Sequence, residues 1–284
     1  MNTVVEEVRL NLPHIELAAH LFGPEDGLPV IALHGWLDNA NSFARLAPKL
    51  KGLRIIALDM AGHGHSGHRP PGAGYAMWDY AHDVLQVAEQ LGWKRFALLG
   101  HSMGAIASLI IAGSLPQRVT HLALIDGLIP PTDTSDNAAE RMGNALQAQL
   151  DLRDKRKPVY STLDRAIEAR MKGAVAVSRE AAELLAQRGL MPVPGGYTWR
   201  TDSRLTLPSP LRLTTEQAMA FVQRVSCPAK LLVAADGMLA RHVDLLERLP
   251  FTREQLPGGH HLHLNDESGA DLVADCFNRF FAIP

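Results

Sequence analysis

The stretch Leu98-Leu-Gly-His-Ser-Met-Gly-Ala-Ile-Ala-Ser-Leu109 places Ser102 between two glycines where an apolar run changes character. Before it, Arg95-Phe-Ala-Leu-Leu99 suits a short buried strand. After it, Ala105, Ile106, Leu109 and Ile110 recur at helical spacing until Pro116 forbids continuation. A strand that turns into a helix at Gly-x-Ser-x-Gly lifts the serine oxygen clear of a sheet. It also aims the N–H groups of the helix N-terminus at developing negative charge. The plain alternative is a tight turn that the glycines permit, with an idle Ser102.

Working outward, strands are expected at 7–12, 15–22, 30–33, 54–58, 95–99, 121–125, 230–234 and 254–256. Helical patterns lie between many of them. In 78–91 the apolar positions 78, 81, 84, 85, 88 and 91 trace one face, and 271–281 does the same. Strands alternating with helices imply an α/β protein with a mostly parallel eight-stranded sheet and helices on both faces. The first two strands are expected to form an antiparallel edge. The alternation fails between about Leu128 and Val225, where charged helical segments (138–152, 162–171, 179–187) surround a Gly/Pro-rich piece from Met191 to Trp199. Thr214 and Gln217 fit a capping box there. Sheet strands resume at Lys230, so the block reads as an insertion rather than a separate domain: residues 1–127 and 226–284 form the core and 128–225 the insertion.

At 284 residues, 46% of them hydrophobic, the chain can bury a sizeable core. Net charge is −2, and no basic run exceeds Arg153-Asp-Lys-Arg-Lys157, so nucleic acid or an anionic membrane is not an expected partner. Phe96–Leu115 is apolar enough to suggest a membrane span. Two glycines break it, however, and a central parallel strand has the same apolarity. Glu6, Glu7 and Arg9 interrupt any secretory signal. Cys227 and Cys276 sit in apolar segments, so a reduced, cytoplasmic setting is expected.

A serine nucleophile needs a base from elsewhere in the chain. His260, in Leu256-Pro-Gly-Gly-His-His-Leu-His263 after the last strand, is the first choice; His261 is in reserve and His263 is expected to pack or cap. Val30-Ile-Ala-Leu-His-Gly-Trp36 runs a strand into a His-Gly turn, where Gly35 lets the Trp36 N–H face the elbow. Together with the Met103 N–H it would form an oxyanion hole. The ordinary alternative is a strand-ending turn.

These motifs resemble the α/β-hydrolase fold, in its cap-bearing branch. The likeness rests on His34-Gly35-Trp36, the loop Asp59-Met-Ala-Gly-His-Gly-His-Ser66, Gly100-His-Ser-Met-Gly104 and Gly259-His260. Within that branch, Gly35–Phe43 and Pro257-Gly-Gly-His260 are similar to the serine-hydrolase-like proteins. The resemblance implies that the helical block is a cap over the site, and that a carboxylate orients His260. It expects that acid just past strand 230–234, where Asp236 comes two residues early and Met238 stands in the expected place. Some cap-bearing relatives carry it one strand earlier, which here is Asp126, 24 residues past Ser102. Asp126 is preferred and Asp236 is the alternative. Serine at 102 argues against haloalkane or epoxide hydrolysis, which goes with an aspartate nucleophile.

The expected activity is that of a serine esterase acting on a small-molecule acyl substrate through an acyl-enzyme, with no cofactor. A thioesterase or carbon–carbon hydrolase would use the same machinery, and a binding module that barely turns over is the rival of another class. His34, Gly35, His101 and Trp199 are candidate substrate contacts, Trp199 either as pocket roof or as cap core. Either a monomer or a homodimer is compatible with the sequence. Two other patterns are set aside. Gly62-His-Gly-His-Ser-Gly67 fits the dinucleotide-binding Gly pattern, but Pro70 and Pro71 stand where its helix would start. The histidines at 63, 65, 68, 260, 261 and 263 lack a carboxylate or thiol at familiar spacing, so no metal site is expected.

Overall fold

In a computed structural model, which describes residues 5–152 and 156–282, the eight expected strands form one sheet. They are β1 (Glu6–Asn11), β2 (Glu16–Phe22), β3 (Leu28–Leu33), β4 (Leu53–Leu58), β5 (Phe96–His101), β6 (Val119–Ile125), β9 (Ala229–Asp236) and β10 (Thr252–Gly259). Their spatial order is β1-β2-β4-β3-β5-β6-β9-β10. β1 pairs antiparallel with β2 and β2 with β4; every other pairing is parallel. Residues 153–155 of the basic run lie outside the described residues.

Period-2 alternation divides the strand side chains between two cores. Ile31, Leu33, Ile56, Leu58, Leu98, Leu122, Leu124, Leu231 and Val233 face one side, under α1 (Met77–Gln90) and α2 (Met103–Ser114). Val30, Ala32, Ile55, Ala57, Ala97, Leu99, Ala123, Ile125, Leu232 and Ala234 face the other. They are covered by the Ala40–Phe43 turn and by Val273, Cys276, Phe277 and Phe280 of the helix Glu267–Phe281. Each residue of β5 is buried, which explains the membrane-like apolarity of 96–115: it is a central strand and the helix packed on it. No helix among the described residues is long and apolar enough to cross a membrane.

Between β6 and β9 lie α3 (Ala138–Asp151), α4 (Leu163–Met171), α5 (Arg179–Gly189), and α6 (Thr215–Arg224). The Gly/Pro-rich piece is a hairpin, β7 (Leu190–Val193) and β8 (Gly196–Trp199), turning at Gly195 and Gly196, both at positive φ. The capping box forms: Gln217 N donates to Thr214 Oγ1 (3.3 Å) and Thr214 N to Gln217 Oε1 (2.9 Å). α6, placed in the insertion by its position before Lys230, instead covers the sheet. Its Met219 and Val222 join the α1/α2 core, and Arg224 Nε donates to Gly113 O on α2 at 2.9 Å. The inserted part therefore ends before Thr215.

Polar contacts staple the insertion to the core. At the end of α5, buried Arg188 donates through Nε to both carboxylate oxygens of fully buried Asp59, at 2.9 and 2.8 Å. Asn39 and Asn41 donate side-chain N–H groups to Leu185 O (2.9 Å) and Leu184 O (2.7 Å). A buried pair that loses one partner leaves a charge with no water to solvate it. Arg188→Met is thus expected to lower the unfolding free energy by about 3–5 kcal/mol, read from urea titrations. A loss below about 1 kcal/mol, the range of exposed pairs, would show that the pair does not anchor α5.

Candidate active site

Ser102 joins β5 to α2 with φ 52° and ψ −116°, a conformation that costs a non-glycine residue on the order of 1–3 kcal/mol. The surroundings enforce it. A Cβ on Gly104 would lie 2.0 Å from Leu33 O, and one on Gly100 2.5 Å from Ala105 Cα, so only glycines let helix and strand approach this closely. Gly127 performs the same service just past the end of β6, where a Cβ would meet Ser102 O at 2.5 Å. Ser102 N donates to Ile125 O (3.1 Å), pinning the elbow to β6.

The next residue, Asp126, also has positive φ (41°) and is buried. Its Oδ2 accepts from His260 Nδ1 at 2.6 Å and from Met238 N at 2.8 Å; Oδ1 lies 3.3 Å from Ala234 N and 3.4 Å from Leu239 N. A Cβ on Gly237 would sit 2.3 Å from Oδ2. The 236–239 turn is therefore a cradle for Asp126: glycine leaves room for the carboxylate and Met238 contributes a backbone donor. Asp236, by contrast, ends β9 with an exposed side chain. With Nδ1–H of buried His260 held by the carboxylate, its Nε2 is the nitrogen left to accept a proton.

The other candidates separate. His261 Nε2 is bound to Asp38 Oδ2 at 3.0 Å, which takes it away from a base role, and His263 Nε2 contacts Ser42 Oγ at 3.1 Å. His34 is a brace: Nδ1–H donates to Gly35 O (2.7 Å) and Nε2 accepts from Met60 N (3.0 Å), so both ring nitrogens serve backbone rather than a ligand. His101, fully buried, donates from Nε2 to His260 O at 2.9 Å and packs its ring on those of His260, His261 and His263. Gly35 lies against it: a Cβ there would be 3.0 Å from His101 Nδ1. Trp36 is partly exposed and its indole N–H donates to Leu205 O (2.9 Å). Met103 is the first residue of α2, where backbone N–H groups lack intrahelical partners. Trp199 lies in the insertion's own small core with Ala166, Ala186 and Leu190, its ring against Gly189.

Asp38 and Arg170 were not singled out by the sequence. Asp38 is fully buried, with Oδ1 bound to Arg170 Nη2 of α4 at 2.7 Å and Oδ2 to His261. Burial alone would raise its pKa, but the charge and hydrogen bond of His261 and the charge of Arg170 hold it well below the usual carboxylate range. No sequence spacing links positions 38, 170 and 261; an Asp just after a His-Gly turn was the available signal.

An α/β-hydrolase-fold family model matches residues 29–195, more than half of the chain. The chain belongs to the α/β-hydrolase family. It is 31% identical over 291 residues to a serine hydrolase-like protein of Danio rerio, covering 97% of this chain and 89% of that one. It is 32% identical to a probable serine hydrolase of Drosophila melanogaster (91% and 83% covered). A crystal structure of a hypothetical protein from Pseudomonas aeruginosa is 70% identical, covers 98% of this chain and 99% of that one, and superposes with a TM-score of 0.96. The thioesterase domain from the curacin biosynthetic pathway shares the fold at 24% identity and a TM-score of 0.83 (96% and 99% covered).

The buried histidines also shape acid stability. Burial first, then neighbouring ring charges, push His63 and His263 down to about 3, and His101 well below its usual value. The unfolded chain takes up these protons near pH 6.5 while the folded one does not. Stability is thus full above 6.5 and is lost as pH falls toward 3, by up to about 1.4 kcal/mol per pH unit per histidine. Calorimetric Tm is expected to drop steeply from pH 6.5 to 5 and to level off above 7. A flat Tm from pH 7 to 5 contradicts neutral burial.

Proposed function

We propose that this protein is a serine hydrolase that cleaves small carboxylic esters through an acyl-enzyme, with Ser102 as nucleophile, His260 as base and Asp126 as the orienting acid. The observation that carries the reading is the buried 2.6 Å His260–Asp126 contact next to a serine held at positive φ. The serine hydrolase-like names of its relatives point the same way.

In this reading His260 Nε2 takes the Ser102 Oγ proton as Oγ bonds to the ester carbonyl carbon. The carbonyl oxygen, now negative, accepts from the Trp36 and Met103 N–H groups, each such donor being worth about 2.7–4 kcal/mol in the transition state. Collapse of the tetrahedral species breaks the carbon–oxygen bond, and the imidazolium gives its proton to the departing alcohol. Water then repeats the sequence: His260 takes its proton, hydroxide adds to the acyl carbon, and the carboxylic acid leaves as Ser102 regains its proton. Asp126 fixes the tautomer and stabilises the imidazolium without becoming protonated. A small-molecule substrate and a cytoplasmic setting belong to the same proposal.

A fluorophosphonate probe is expected to add once per chain, with peptide mapping placing the adduct on Ser102 and Ser102→Ala abolishing it. Labelling that persists in Ser102→Ala would falsify the assignment. Across a panel of p-nitrophenyl esters of graded chain length, Asp126→Asn is expected to reduce kcat by about 10⁴-fold, with folding checked by circular dichroism. Asp236→Asn should stay within about twofold of the parent, an exposed acid away from the histidine having no such role. The reverse pattern moves the acid to Asp236. A burst of product followed by stalling would instead favour the binding module.

A further inference from the structure

Behind the proposed catalytic residues, three fully buried groups that are distant in sequence converge: Asp38, His101 and His261. A ligand atom of each lies within 4.8 Å of the others, and Asp38 Oδ2 is 3.0 Å from His261 Nε2. We propose that they form a binding site for one divalent transition-metal ion of the zinc type.

The first argument is an unpaired nitrogen. His101 Nε2 must carry a proton, because it donates to His260 O. With that proton on Nε2, a neutral imidazole presents a lone pair at Nδ1, and the rings of His260, His261 and His263 pack around it. That Nδ1 is buried with no hydrogen-bond partner, and it flanks the same point as Asp38 Oδ2: a Cβ on Gly35 would be 3.0 Å from one and 3.2 Å from the other. A buried acceptor facing a carboxylate oxygen is unfavourable unless a cation or a proton lies between them.

The second argument is the supporting shell. A metal-bound histidine usually donates its other ring N–H to a backbone carbonyl, and a metal-bound carboxylate is usually hydrogen-bonded through its free oxygen. His101 has the first feature through His260 O, and Asp38 has the second through Arg170 Nη2. To bind, His261 Nε2 must exchange its hydrogen bond with Asp38 Oδ2 for the ion. Two imidazoles and one carboxylate suit zinc, cobalt or nickel, and not calcium or magnesium, which take oxygen ligands. Donors about 2.1 Å from a tetrahedral ion stand about 3.4 Å apart, so the 3.0 Å Asp38–His261 pair must open slightly and pairs as wide as 4.8 Å must close. Arg170 opposes a second cation beside Asp38 and sets the affinity below that of a structural zinc site. The expectation of no metal site considered spacing along the chain; the fold brings in the carboxylate from position 38.

A second grouping, His14, His82 and Asp83, is mostly exposed and would bind metal adventitiously. The test therefore uses the full chain carrying His82→Ala, titrated with Co²⁺ and Zn²⁺. Expected are one Co²⁺ per chain with a visible tetrahedral d–d band, slow uptake because the site is closed, and a Tm raised by several degrees at saturating Zn²⁺. Anomalous diffraction at the zinc edge of the same protein should place the ion between Asp38, His101 and His261. Adding His261→Gln or Asp38→Asn should abolish band and Tm shift. The proposal is overturned by no uptake in the His82→Ala protein, by uptake unchanged in folded His261→Gln, or by an anomalous peak on His260 or elsewhere. If neither added variant folds, the diffraction map alone decides. None of these readouts depends on hydrolysis, so they stand or fall separately from the proposed activity.

Discussion

The close approach of α2 to β5 and β3 is the constraint on which the centre of this molecule depends. It is possible only because Gly100 and Gly104 carry no Cβ, and it holds Ser102 at φ 52°. The strain of order 1–3 kcal/mol is spread over a scaffold that buries all six residues of β5. Parallel neighbours on both sides leave the elbow no freedom to relax. Ser102 N is tied to Ile125 O, and Gly127 lies against the Ser102 backbone, so the β6 end is positioned by the same contact.

From that contact the rest of the candidate site follows. Asp126 leaves β6 next to the elbow, and the turn after β9 closes around its carboxylate with Met238 N and the space left by Gly237. The carboxylate then receives His260 from the end of β10. Four strand ends thus meet at one edge of the sheet, as parallel strands do when their carboxyl ends share a side. Beneath them lies a layer of buried imidazoles (His34, His101, His261, His263); burial disfavours the charged forms of His34, His101 and His263. The insertion joins this layer from above through Arg170–Asp38, and the neighbouring loop through Arg188–Asp59. It is held by ion pairs as well as by packing, which ties its position to the geometry of the residues below.

Much of this was legible in the chain because it is local. An apolar run, two glycines around a serine and a helical repeat specify a strand, a tight turn and a helix through steric and periodic rules that act within about ten residues. The eight strands, the antiparallel edge and the candidate base after the last strand all came from such signals. Thr214 and Gln217 announced a helix start for the same reason, and the start is there.

What the sequence left open required distance in the chain to become contact in space. The sequence preferred Asp126 and kept Asp236 as the alternative; only the fold shows the first buried against His260 and the second exposed. The membership of α6 in the core, the packing of Trp199 within the insertion, and the service of His34 to backbone are likewise products of tertiary packing. So is the union of Asp38, His101, Arg170 and His261, whose chain separations carry no period and no motif. By itself the sequence determined the elements and the elbow, because backbone sterics and hydrophobic periodicity are local. The tertiary structure decided which charged and polar side chains are buried together, because desolvation and pairing depend on what lies opposite in space.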